Sequence, residues 1–206
     1  MGNYKNSDTV WFEKVPNHWI KTKNKFFLKE KNKIVGDNSS KHTLLSLTTK
    51  GIIKRDIESG KGKFPSSFND YKVVSKGDLI FCLYDIDETP RTVGFSDLDG
   101  MISGSYKIFE CCKSVYNKYI YYYYLNIDNF KGLKPYYTGL RNVIRPETFK
   151  SLTIYLPPYE EQVSIVNKIE IQLDEIKKLR EIELEKLNKL NDFVKSVVNS
   201  NVTGQK

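Results

Sequence analysis

Histidine and cysteine are both scarce in this 206-residue chain, with only His18 and His42 of the one and Cys82, Cys111 and Cys112 of the other. An odd cysteine count with two adjacent members is no disulfide framework, so the expectation is a reduced, cytoplasmic protein. The histidines stand far apart and no Cys-x-x-Cys is present, which argues against a zinc site. No run approaches about 18 consecutive apolar residues, so no transmembrane helix is expected. The opening residues, Met1-Gly2-Asn3-Tyr4-Lys5, lack the apolar stretch of a secretory signal. Also missing are the phosphate loop G-x-x-x-x-G-K-[ST] and the nucleophile elbow G-x-S-x-G.

Two further chemistries lose their residues on inspection. A carboxylate-type nuclease needs an acid followed by an acid–x–Lys pair, to hold a metal and orient water. Asp78, Asp85, Asp87 and Glu88 cluster in sequence, but Glu110 and Lys113 are one residue too far apart to complete the set. Asp85-Ile86-Asp87-Glu88 reads more simply as an exposed turn. Leu156-Pro157-Pro158-Tyr159 is similar to the Pro-Pro-aromatic motif of amino-methyltransferases, yet Leu156 stands where that motif needs a hydrogen-bond acceptor. The tandem prolines are better read as a strand-to-helix break. Cys82, inside an apolar run, is expected in the core rather than as a nucleophile. These absences point to a binding protein with no catalytic residue, no metal and no cofactor of its own.

What the chain does have is positive charge, unevenly placed. The net charge is +8. Residues 1–158 hold 25 Lys and Arg against 16 Asp and Glu, a net of +9, while residues 159–206 hold 8 against 9, a net of −1. A basic globular part followed by a charge-balanced tail points to a polyanion on the first and a protein on the second. Hydrophobic residues make up 39% of the chain and charged ones 28%, enough for a real core without staples.

The pattern changes near residue 157. Before it, short apolar runs at 42–47, 71–74, 78–84, 91–95, 105–110 and 152–156 predict strands, the third launched by the turn signal Lys76-Gly77. The run 115–125, with Tyr119, Ile120, Tyr122, Tyr123 and Leu125, lacks period-2 alternation and predicts a half-buried helix. Many short strands with few helices make an α+β domain. From Tyr159 onward Val166, Ile169, Leu173, Ile176, Leu187, Leu190, Val194 and Val197 keep spacings of three and four, a heptad seam that carries Arg180 and Glu183 in its middle. No Gly or Pro interrupts residues 159–201, which predicts one coiled-coil helix of about forty residues, roughly 60 Å long. Its stripe needs a partner, and those ten residues are the expected dimer interface. The division is therefore residues 1–158, a nucleic-acid-binding domain, and 159–206, a dimerisation helix.

Basic and aromatic residues interleave in three loop groups. Lys50, Lys54, Arg55, Lys61 and Lys63 make one, Arg91 with Thr92 a second, and Tyr136, Tyr137, Thr138, Gly139, Arg141 and Asn142 a third. Lysines suit phosphates, while Arg and Asn can make bidentate contacts to base edges. Gly60-Lys61-Gly62-Lys63 reads as a flexible basic loop.

At these residues a resemblance appears. Lys76-Gly77-Asp78-Leu79-Ile80-Phe81, continued by Arg91-Thr92-Val93-Gly94, Gly100 and Ser105-Tyr106, resembles the target recognition domains of type I restriction–modification specificity subunits. Gly139-Leu140-Arg141, then Phe149, Ile154, Pro157-Pro158, Glu161-Gln162 and Ile165, resembles the end of such a domain running into its long helix, and Val15-Pro16-Asn17-His18-Trp19 resembles the entry segment. Members of that family carry two recognition domains and two long helices, where this chain has one of each, so it looks like a half-subunit. The resemblance implies a non-catalytic subunit that reads double-stranded DNA and pairs antiparallel with itself or another half-subunit. It further implies a bipartite site and a methyltransferase subunit that carries S-adenosylmethionine, with a restriction subunit as a further partner. The residues alone leave two alternatives: a stand-alone dimeric DNA-binding regulator, and a small nuclease or methyltransferase.

Overall fold

The third strand of the domain pairs with its last, and the sheet that carries the core lies between them in sequence. The computed structural model describes residues 3–55, 67–85, 88–139 and 142–204. Strand β1 (Tyr4–Asn6) folds back antiparallel on β2 (Lys14–Pro16). β3 (Ile20–Lys23) has its partner at the far end of the domain. β4 (Leu28–Lys31) is followed by the hairpin of β5 (Leu45–Thr48) and β6 (Gly51–Lys54), then β7 (Lys72–Val74), β8 (Leu79–Phe81), β9 (Val93–Phe95), β10 (Gly100–Ile102) and β11 (Lys107–Cys111). β7 pairs with β10, and β4, β11, β8 and β9 form, in that order, a four-stranded antiparallel sheet. Helices α1 (Asn117–Asn129) and α2 (Pro146–Ser151) precede β12 (Thr153–Leu156), which pairs antiparallel with β3. Helix α3 (Tyr159–Thr203) follows.

The fold is the α+β domain and long helix that the patterning predicts. The runs expected at 42–47, 71–74, 78–84, 91–95, 105–110 and 152–156 appear as β5, β7, β8, β9, β11 and β12, and the run at 115–125 as α1. Tyr119, Ile120, Tyr123, Tyr124 and Ile127 are the apolar residues α1 buries, a stripe at helical spacing. Tyr124 meets Phe81 and Phe149 at ring separations of 5.2 and 5.4 Å, and Phe81 meets Phe109 at 5.8 Å. Cys82 is buried beside them in sequence, and burial pushes its thiol pKa up. The fully buried Asn24 donates to the Tyr124 hydroxyl at 2.6 Å and to the Phe149 carbonyl at 2.8 Å.

The Lys76-Gly77-Asp78 turn has a physical reason. Gly77 takes φ +93°, a left-handed conformation that favours glycine, and donates its N–H to the Ser96 carbonyl at 2.7 Å. Asp78 is buried, accepts the Ser75 N–H at 2.8 Å, and is held by the Lys31 ammonium at 2.7 and 2.9 Å. The turn launches Leu79, Ile80 and Phe81 directly into the core, where all three are fully buried.

The Pro157-Pro158 junction is equally well tied. Glu161 accepts the Trp19 indole N–H at 3.0 Å and pairs with His18 at 2.7 Å. Gln162 is buried, donates to the Pro157 carbonyl at 2.9 Å and accepts, at 2.8 Å, the N–H of Tyr116, the residue that caps α1. That bond satisfies one of the donors a helix start leaves open.

The chain divides into two compact units, residues 1–163 and 164–206. The second is helix alone, the greater part of the 45 residues of α3, which spans roughly 68 Å at 1.5 Å per residue. Gly204, at φ +67°, ends it in the left-handed conformation usual after a helix terminus. No helix of the described residues is long and apolar enough to cross a membrane.

Candidate nucleic-acid interface

The three basic–aromatic groups fare differently. In the first, Lys50 sits in the two-residue connection Thr49-Lys50 of the β5–β6 hairpin, closed by Gly51 at φ +94°. Its N–H donates to the Thr48 hydroxyl at 3.1 Å, and its side chain is exposed. Lys54, also exposed, stands opposite Leu45 at the other end of the same hairpin. Arg55 follows, half-buried, with its N–H on the Leu44 carbonyl at 2.8 Å. Lys50 and Arg55 are thus at opposite ends of one hairpin rather than in one patch. Lys61 and Lys63, with the loop predicted around them, lie outside the described residues, as do Ile86 and Asp87 of the expected turn.

Arg91 is committed inside the protein. Its guanidinium donates to the Asn129 amide oxygen at 2.9 Å and lies 3.7 Å from Asp128, whose side chain is 1% exposed. Asp128 also accepts the Thr92 N–H and the Lys131 ammonium, each at 3.0 Å. The pairing of a strand start with the end of α1 is a tertiary fact that no local pattern carries, so Arg91 reads from sequence as a base-contacting arginine. In the structure it balances a buried carboxylate.

In the third group, the described residues on either side of 140–141 are hydrogen-bonded to one another. Thr138 and Val143 exchange backbone hydrogen bonds at 3.0 and 3.2 Å, and Asn142 donates to the Gly139 carbonyl at 3.3 Å. Gly139 and Asn142 adopt φ +73° and +47°. Arg141 lies outside the described residues, and Tyr137 is half-buried. Just beyond the loop, the Ile144 N–H donates to the Leu83 carbonyl at 2.8 Å, which fixes the loop beside the residues that leave β8.

That end of the four-stranded sheet gathers other segments as well. Phe81 stands opposite both Lys107 and Val93, and the Cys82 N–H continues the ladder to the Thr92 carbonyl at 2.8 Å. Tyr84 and Tyr106 follow and precede these strand ends, with rings 6.4 Å apart. Burial pushes both phenols up in pKa. Tyr84 and Tyr106 therefore meet at one end of this sheet. Tyr106 is part of the Ser105-Tyr106 resemblance and Tyr84 carries no such signal, and only the β8–β11 register shows that they meet.

The ten residues expected at the seam all lie on α3. Val166 is buried. Ile169 is half-buried. Leu173, Ile176, Leu187, Leu190, Val194 and Val197 are exposed, and Arg180 and Glu183 share a face with Ile176, Leu179, Leu184 and Leu187. Among the described residues no three His, Cys, Asp or Glu side chains are grouped to hold a metal.

No protein-family model and no curated protein matches the sequence. Solved structures do. A chain from a structure of complex assembly and conformational transition in the type I R-M system aligns with 90% of this chain and 46% of its own, at 14% identity and a TM-score of 0.60. The HsdS subunit from Thermoanaerobacter tengcongensis aligns with 85% of this chain and 42% of its own, at 14% identity and a TM-score of 0.48. The first likeness shows the fold, a mixed domain running into one long helix, and this chain spans less than half the length of the chain it matches.

Proposed function

We propose that this chain is a non-catalytic DNA-recognition subunit of a type I restriction–modification system. The observation that carries the reading is the fold likeness over 90% of the chain to a component of such a system. Two independent features support it. The whole basic excess lies in residues 1–158, as a phosphate-contacting domain requires. The helix from Leu173 to Val197 exposes an apolar face to water, and covering the roughly half of each side chain that is open is worth about 1 kcal/mol. In this reading the domain binds one half of a bipartite site in double-stranded DNA, and the helix pairs antiparallel with the same helix of a second copy or of a companion half-subunit. The assembly works in the cytoplasm. Its methyltransferase subunit holds S-adenosylmethionine and does the chemistry, and a restriction subunit joins where one exists.

The test is co-expression with the adenine methyltransferase subunit of the same system, followed by co-purification and binding to a site selected from random duplex DNA. A stoichiometric complex that prefers its selected site over scrambled DNA is the expected result. Failure to form the complex, together with equal affinity for both DNAs, would overturn the proposal. Site-specific binding without any methyltransferase association would establish the stand-alone dimeric regulator instead.

A further inference from the structure

We propose that the partner of α3 is a second copy of this chain, and that Arg180 and Glu183 select that partner and fix its alignment by pairing across a two-fold axis. This rests on the reading that α3 pairs with another long helix, and deepens it by naming which helix and in what register.

The helical unit 164–206 carries the observation by itself. Arg180 and Glu183 line one groove with the exposed Ile176, Leu179, Leu184 and Leu187, so the face left open to water is apolar except for one cation and one anion. Ion pairs formed elsewhere along the helix, Asp174 with Lys178, Glu185 with Lys189 and Asp192 with Lys195, stand at heptad positions off this face. Glu183 accepts the Lys186 ammonium at 3.2 Å, with both side chains well exposed. An exposed pair of that kind is worth little and yields readily to a better partner.

The places of the two charges decide what can cover the face. An antiparallel second copy centred between Glu181 and Ile182 sets each residue opposite the one equally far beyond that centre. Ile176 then meets Leu187, Leu173 meets Leu190 and Ile169 meets Val194, while Arg180 meets Glu183 twice, once on each side of the axis. Other alignments lose this match. A slide of one heptad sets Arg180 against Leu190 and Glu183 against Leu187, and the opposite slide sets them against Ile176 and Leu173. A parallel copy in register sets Arg180 against Arg180 and Glu183 against Glu183. Covering a charge without its opposite is strongly unfavourable, whereas a matched pair on a seam specifies register at a modest cost in stability. A companion of different sequence would need an acid and a base at these two positions in the same order, and this helix already supplies them.

Sedimentation of the full chain over a range of concentrations measures self-association. Arg180→Glu makes both middle positions acidic, and Glu183→Arg makes both basic. Each variant alone is expected to weaken the dimer roughly 10- to 100-fold, because like charges then face one another. The two variants mixed in equal amounts should recover association, and so should the double swap Arg180→Glu with Glu183→Arg in one chain. Orientation has its own readout: Leu173→Cys and Leu190→Cys proteins, mixed and oxidised, should crosslink 173 to 190 by peptide mapping, and a 173-to-173 crosslink would mean parallel pairing and overturn the proposal. It is also overturned if both charge variants associate as wild type does, or if their mixture associates no better than its parts. A wild type that stays monomeric, yet pairs with a companion half-subunit and binds its methyltransferase, refutes self-pairing and leaves the recognition reading standing. Loss of the methyltransferase association as well refutes that reading too.

Discussion

Arginine 91 separates structure from DNA contact, because its environment sets the size of the effect in advance. Arg91→Ala removes a guanidinium that is 28% exposed from beside an aspartate that is 1% exposed. Orphaning a buried charge costs about 3–5 kcal/mol, while an exposed ion pair is worth about 0–1 kcal/mol. Asp128 is not orphaned: the Lys131 ammonium and the Thr92 N–H, both at 3.0 Å, remain. The Arg91 contact is also the longer one, at 3.7 Å. The loss therefore falls between the two limits, at about 1–2 kcal/mol. In a unit of this size that lowers Tm by about 2–8 °C. Removing both cations, in Arg91→Ala with Lys131→Met, leaves Asp128 one backbone donor, and the loss should rise to about 3–5 kcal/mol, more than the two single losses added. Urea unfolding with a constant m value is the assay. If Arg91→Ala leaves the midpoint in place but abolishes discrimination between selected and scrambled DNA, the guanidinium serves DNA and the structural account is wrong.

Leu187→Asp should convert the assembled protein to monomers in sedimentation while leaving the globular unit folded; an unchanged assembly would remove α3 from the interface. Glu30 is partly buried, which alone would raise its pKa, but hydrogen bonds from Lys150 at 2.7 Å and Lys107 at 3.1 Å outweigh this and hold it at about 2. A depressed carboxylate pKa stabilises the fold above the unfolded value of about 4.3 and loses that contribution as pH falls toward 2. The midpoint of wild-type unfolding should therefore drop across that window, and Glu30→Gln, less stable at neutral pH, should show a flatter acid limb; parallel curves would contradict the linkage. The purified chain alone, supplied with DNA, magnesium and S-adenosylmethionine, should neither cut nor methylate. Turnover that survives removal of contaminating methyltransferase would make it an enzyme.

Legibility in the sequence followed the range of each interaction. Leu79-Ile80-Phe81 after Lys76-Gly77 is a local pattern, and it became β8. The long helix needed only its spacing and the lack of Gly and Pro. β3 and β4 were missed because Ile20-Lys21-Thr22-Lys23 and Leu28-Lys29-Glu30-Lys31 are mostly polar; they are strands because β12 and β11 pair with them, not because their own residues demand it. The same limit governs the site. Basic loops are visible in sequence, but whether a cation is spoken for depends on a distant partner, as Asp128 shows for Arg91. Tyr84 and Tyr106 are 22 positions apart and become one feature only through the β8–β11 register.

The β3–β12 pairing also sets the order in which this protein can come into being. A ribosome that has made Lys23 must still add roughly 130 residues before Thr153 exists, and at about 5–20 residues per second that takes roughly 6–26 s. Throughout that interval Ile20–Lys23 has no mate. Trp19 waits longer still, for Glu161, and the cap of α1 waits for Gln162. Closure of so long a loop is slow as well as late. A nascent chain halted anywhere before Leu156 would leave this edge open to strand pairing with a neighbouring chain.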